Sequence, residues 1–299
     1  MRNSLIAFLI AAGVAAPAHA QQQQSSPQQQ ASAPEIVVEG KRNRDREISD
    51  FVSALADAPI KGQLSRFDWA VCPVAVGLGD AQNRIAADRM RNVAREAGME
   101  VAAAACKPNV FLIVTNDKRE LIESLKAKHP AYFDGIPRYK IARLARSSGP
   151  AAAWHVEGLL DADGVKVARD ILTGQHIVER TAAPSRLAVQ SRPHFVASVV
   201  VVDIDALSGL TVTQLADYAA MRAFARTNPE RLEKSSVRSI LTVLDTPIGG
   251  LAPVTLTEWD LAFLKALYGS AANRFAFQQR NEMKHLVAEE LDQQRAEVE

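Results

Sequence analysis

Cysteine, aromatic residues and net charge are all scarce in this 299-residue chain, and each scarcity narrows the field of functions. Lysine plus arginine number 35 against 34 aspartate plus glutamate, a formal charge of +1. No global field therefore marks nucleic acid or an acidic polymer as the partner. Aromatics make up 6% and no long series of alternating strands occurs, which argues against an outer-membrane barrel. Beyond the first twenty residues no run is apolar enough to span a bilayer, so no transmembrane anchor is expected. The H-E-x-x-H pair of zinc peptidases and the G-x-S-x-G elbow of serine hydrolases are both missing. Gly77 and Gly79 fall where a dinucleotide fingerprint would begin, but Gln82 replaces its third glycine. Asp80 would also set a negative charge where a phosphate should sit, so a tight strand-to-helix turn is expected and no cofactor.

The two cysteines, Cys72 and Cys106, allow a disulfide, a metal pair or a thiol nucleophile. With no second Cys/His pair at ligand spacing, zinc is disfavoured. An even count in an oxidising compartment reads first as a disulfide, which on the chain-entropy model adds roughly 3–4 kcal/mol.

What is present starts with a leader. Residues 1–20 read MRNSLIAFLIAAGVAAPAHA, with Arg2 as the basic segment, 5–15 as the apolar segment and Ala18-His19-Ala20 as a small-x-small cleavage site. Cleavage after Ala20 would release a periplasmic or secreted protein. Residues 21–45 open with the polar tract QQQQSSPQQQASAP and are expected to form a disordered Gln-rich spacer. Residues 46–285 hold enough apolar sequence for one α/β domain. The last stretch, 286–299, is acidic and is expected to be a fraying helix.

Periodicity predicts a helix over 46–57, a short strand over 70–78, a helix over 80–99 and a strong strand over 109–114. Asp117 followed by Glu120 predicts the start of a helix running to Lys128. Strand–helix–strand order brings the starts of both strands, and hence Cys72 and Cys106, to one end of a parallel pair. Strands are expected at 152–160, at 165–168 after the turn signal Asp163-Gly164, and at 195–204. The stretch 211–226 is apolar almost all round, so it predicts an alanine-rich central helix. Helices are also expected over 255–268 and from about 275 onward. The fold class is α/β or α+β, one mixed sheet packed with helices.

No catalytic set assembles from these elements. The best scattered ligand set for an atypical metal-dependent hydrolase is His155, Asp203, Asp205 and Asp217, and none of these sits at an established motif spacing. Between 118 and 146 eight basic residues face three acidic ones. Within that stretch Lys126, Lys128, Arg138, Lys140 and Arg143 are candidates for binding anionic envelope components, against the alternative of a plain solvated face.

Several segments carry a resemblance. Cys72-Pro73, the stretches 91–94 (RNVA), 106–110 (CKPNV), 214–221 (QLADYAAM) and 256–268 (LTEWDLAFLKALY) resemble a group of uncharacterised secreted bacterial proteins. That resemblance covers most of the mature chain and brings no activity with it. More distantly, a strand before a buried helix is similar to zincin-type metallopeptidase domains. That likeness implies a degenerate zincin-like fold in which Gln214, Leu215 and Tyr218 replace His, Glu and His and leave no zinc chemistry. The resulting expectation is an exported, non-catalytic accessory protein that binds an envelope protein or envelope component.

Overall fold

The alternation of apolar residues along two central strands sorts the helices onto the two faces of the sheet. The computed structural model describes residues 33–56, 62–161, 163–169, 176–177, 191–232, 235–247 and 249–298. The leader, the cleavage site and the spacer up to residue 32 lie outside these. In chain order the elements are α1 (Ala33–Leu55), β1 (Pro73–Val76), α2 (Asp80–Glu96), β2 (Val110–Thr115) and α3 (Lys118–Lys128). A 3-10 turn (Pro130–Phe133) leads to α4 (Arg138–Arg146) and β3 (Ala151–Asp161). The short β4 (Ala168–Arg169) and β5 (His176–Ile177) pair only with each other. Then come β6 (Ser191–Asp203), α5 (Val212–Phe224), α6 (Glu258–Gly269) and α7 (Ala276–Val298). Contacts divide the chain into units 1–39 and 40–299. Only the opening turns of α1 represent the first, and the second carries the sheet.

One mixed sheet of order β1-β2-β6-β3 organises an α+β fold, with β1, β2 and β6 parallel and β3 antiparallel. Val110, Leu112 and Val114 of β2 and Val200 and Val202 of β6 face a large core shared with α1, α2, α5, α6 and α7. Their neighbours Phe111, Ile113, Val199 and Val201 face a smaller core with Ile122, Phe133, Ile141 and Ala145 from α3, the 3-10 turn and α4. Period-two alternation on strands buried on both faces requires this sorting.

The parallel β1–α2–β2 unit holds the disulfide. Cys72 and Cys106 precede its two strands and are bonded, with Cα atoms 6.1 Å apart. Asn109 locks the same end, accepting from Cys72 N (2.7 Å) and donating to Ala70 O (3.1 Å). Gly77 makes the turn into α2 at φ +96°, where an added Cβ would lie 1.9 Å from the Val114 carbonyl oxygen. No other residue fits that approach, which accounts for the glycine without any nucleotide.

Helix α5 is the alanine-rich centre. Thr211 and Gln214 form a reciprocal capping box, and ten of its thirteen residues are buried. Small side chains let it lie against α2, the sheet and α6 together.

Three expectations need correction. Helix α1 begins at Ala33, so 33–45 is helical rather than spacer. At the other end α7 does not fray from 286: it runs to Val298, with Val287 (0% exposed) and Leu291 (4%) in the core. Met283, Val287 and Leu291 recur every four residues, an apolar stripe masked by the acidic residues between them. Helix α4 was not foreseen at all, because its basic residues hide the inward pair Ile141 and Ala145.

Candidate functional site

The open edge of the sheet is the starting point for a site. Strand β3 ends the strand order, so only one of its edges is laddered. Asp203 N donates to Pro150 O at 2.8 Å, which makes the opposed pairs 152/201 and 154/199 the bonded ones. The main-chain groups of Ala151, Ala153 and His155 therefore point to the other edge. A bulge leaves Val196 of β6 without an opposite residue, and Phe195 then faces Glu157. Phe195 N is committed to Arg66 O (2.9 Å), so Glu157 also points outward. Beyond it the edge is closed, because Val167 N donates to Leu159 O and Asp161 N to Val165 O.

A groove of about 1020 Å³ runs along this edge. Seven consecutive β3 residues, from Ala153 to Leu159, line it. A strand's face presents only alternate residues, so an unbroken run means that the groove follows the edge. One wall is the start and inner side of α4, with Lys140 and Arg143. The other wall is the end of α5 and the following loop, with Arg222, Arg226, Thr227 and Asn228. Lys166 closes one end, its Nζ 4.4 Å from the Trp69 ring centroid. The lining holds the five cations Lys140, Arg143, Lys166, Arg222 and Arg226 against the three acids Asp134, Glu157 and Glu230. Arg226 pairs with Glu157 at 2.7 Å.

Polar atoms with no hydrogen-bond partner gather here. His194 is 2% exposed, yet neither ring nitrogen has a partner. Its ring lies against Gly158, where an added Cβ would come 2.5 Å from Cε1, and Trp69 meets it edge-on at 4.6 Å. Burial is the main cause holding its pKa below the usual histidine value, so near neutral pH it offers one donor and one acceptor. Arg222 Nε and Thr227 Oγ1, also in the lining, are buried and unpartnered as well. Buried polar groups normally find partners, so these four unpartnered atoms in a groove where cations converge point to a ligand.

Outside the lining Arg44 Nε, Asp68 Oδ2, Arg192 Nε, Ser198 Oγ and Gln294 Oε1 are also buried without a partner, whereas the acids and the histidine proposed from sequence are accounted for. The His155 ring lies 3.0 Å from Ala223 O and stacks on Phe195. A carbonyl only accepts, so Nε2 carries the proton and closes the C-terminus of α5. Burial pushes the His155 pKa down to about 3. Asp217 accepts from Arg89 Nε (2.6 Å), Thr255 Oγ1 (2.6 Å) and Leu256 N (2.7 Å). Asp203 accepts from Lys118 N (2.6 Å), and Asp205 is exposed in the turn after β6. Thus His155, Asp203, Asp205 and Asp217 do not converge. Among the described residues no three His, Cys, Asp or Glu side chains are grouped to hold a metal ion.

Of the basic candidates, Lys140 and Arg143 line the groove, while Lys126, Lys128 and Arg138 do not. The two lysines close the last turn of α3, where a cation suits the helix dipole. Lys118 leaves the basic face altogether. It is 4% exposed and its Nζ donates to Ser147 O (2.8 Å), Ser147 Oγ (3.0 Å) and Gly149 O at the end of α4. Gln214 and Tyr218, on the sealed α5, bond to Pro253 O and sit 3% exposed in the core respectively. The groove residues missed from sequence are Lys166, His194, Arg222 and Arg226. Only the positive charge of Lys166, Arg222 and Arg226 could have flagged them, nothing marked His194, and five separate segments supply the lining.

The fold and site together define an α+β protein with one disulfide and a cation-lined edge groove. No helix among the described residues is long and apolar enough to cross a membrane. No protein-family model, curated protein or solved structure matches the chain.

Proposed function

We propose that this is an exported, non-catalytic binding protein whose ligand is anionic and occupies the groove along β3. The observation that carries this is the convergence of Lys140, Arg143, Lys166, Arg222 and Arg226 around buried polar atoms that have no partner. A non-catalytic role is supported by the engagement of the buried acids and of His155, each of which is held by a helix terminus or a neighbouring donor. Export is supported by the 1–20 leader and by the disulfide, which suits an oxidising compartment. N-terminal sequencing of the protein recovered from its native host should begin at Gln21, and an intact Met1 would remove the export reading.

Binding is tested by calorimetric titration with poly-L-glutamate at ~50 mM and ~500 mM salt, because exposed charges are screened at the higher value. Binding is expected at low salt only, and Lys140→Glu with Arg226→Glu should weaken it by roughly tenfold or more. Absence of binding at low salt, or an undisturbed double variant, would overturn the anionic reading.

A further inference from the structure

We infer that the ligand is an extended acidic peptide that pairs with β3 as a fifth strand of the sheet. The inference rests on the reading of the groove as an anion site and adds the form in which the anion arrives. A sheet edge offers what a point-charge site does not, a row of main-chain donors and acceptors at two-residue spacing. Here that row is Ala151, Ala153, His155 and Glu157, set by the ladder bond from Asp203 to Pro150 and by the commitment of Phe195 N to Arg66. Among the described residues no strand lies on that side.

The row has a definite length. The turn that bonds Leu159 and Asp161 to Val165 and Val167 stops any added strand just past Glu157. Seven residues of β3 remain, about 20 Å of extended chain. A heptapeptide therefore fills the free edge, and a longer one must turn away at Lys166.

Charge selects the sequence. Side chains of an added strand alternate between the two faces of the sheet. Those directed to the α5 side meet Arg222 and Arg226, and those directed to the α4 side meet Lys140 and Arg143. Carboxylates on either set are thus favoured.

The test compares a blocked heptapeptide of alternating glutamate and valine with two N-methylated versions, each methylated on one alternate set of residues. Poly-L-glutamate is titrated in parallel. A strand edge bonds only one set of main-chain amides, so one methylated peptide should lose binding and the other should match the parent. Ala153→Pro, which removes an outward donor but no bond to β6, should weaken the parent peptide roughly five- to tenfold and spare poly-L-glutamate. Equal binding by all three peptides would overturn strand pairing while the anion groove stands. Failure of both the parent peptide and poly-L-glutamate at low salt would overturn both.

Discussion

The two sides of β3 handle buried polar groups in opposite ways. On the α5 side every buried charge or ring named above is matched. Asp260 alone accepts from Ser239 Oγ (2.5 Å), Ile240 N (2.8 Å), Thr257 N (3.1 Å) and Thr257 Oγ1 (2.8 Å). Arg66 Nη1 closes α6 by donating to Leu267 O, Tyr268 O and Ser270 O, and Tyr268 Oη closes α5 by donating to Phe224 O. Along the free edge the buried His194 ring nitrogens and the buried atoms Arg222 Nε and Thr227 Oγ1 of two half-buried side chains are unmatched. The matched set joins helix ends to one another and has no capacity left for a ligand. The unmatched set has capacity and lies where cations converge. Unmatched atoms such as Ser198 Oγ and Gln294 Oε1 also occur away from the groove, so it is the coincidence of unmatched atoms with converging cations that separates site from architecture here.

That comparison is broken or sharpened most strongly by pH. His155 is neutral in the native state with a pKa of about 3, below its unfolded value near 6.5. The unfolded chain therefore binds the extra proton first. The stabilisation is complete above pH 6.5 and is lost as pH falls from there toward 3, up to about 4 kcal/mol. Urea denaturation at stepped pH should show this slope, and His155→Gln should flatten it between pH 6 and 4. An unchanged slope would mean that the ring is not what closes α5.

Asp260→Ala comes next. It strands the donors of Ser239, Ile240 and Thr257 in the core and should cost about 3 kcal/mol in the same denaturation assay. A loss below ~1 kcal/mol would remove the distinction between matched and unmatched groups.

The smallest effect is expected from His194→Phe. No hydrogen bond is lost, and the ring keeps its place against Gly158 and Trp69. Stability should hold within ~1 kcal/mol, and a loss of more than ~2 kcal/mol would place His194 with the structural set instead.

Much of the scaffold was legible in advance, for local reasons. The β-branched runs of β2 and β6, the Asp117 cap that accepts from Glu120 N, and the all-round apolar α5 each declare themselves within one or two turns of chain. The parallel β1–α2–β2 order also foretold that Cys72 and Cys106 would meet. Helices α4 and α7 were illegible or misjudged because few inward residues are set among many charged ones. Their burial is decided by the neighbour that covers them. Three of the five basic candidates, Lys126, Lys128 and Arg138, lie outside the groove for a related reason: charge in a sequence says nothing about which helix face carries it. Lys118 shows the extreme, a cation turned into the core to close α4.

The sequence by itself determined most of the elements, the alternation that gives the sheet two buried faces, and the disulfide, since each depends on residues close in the chain or on one short crossover. Only the tertiary structure decided which strand ends the sheet. It also decided that cations from α4, the turn after β3 and the end of α5 surround that strand's free edge. Those cations lie up to 86 positions apart in the chain (Lys140 to Arg226). Strand order is set by the competition of whole packed layers, which no local pattern encodes.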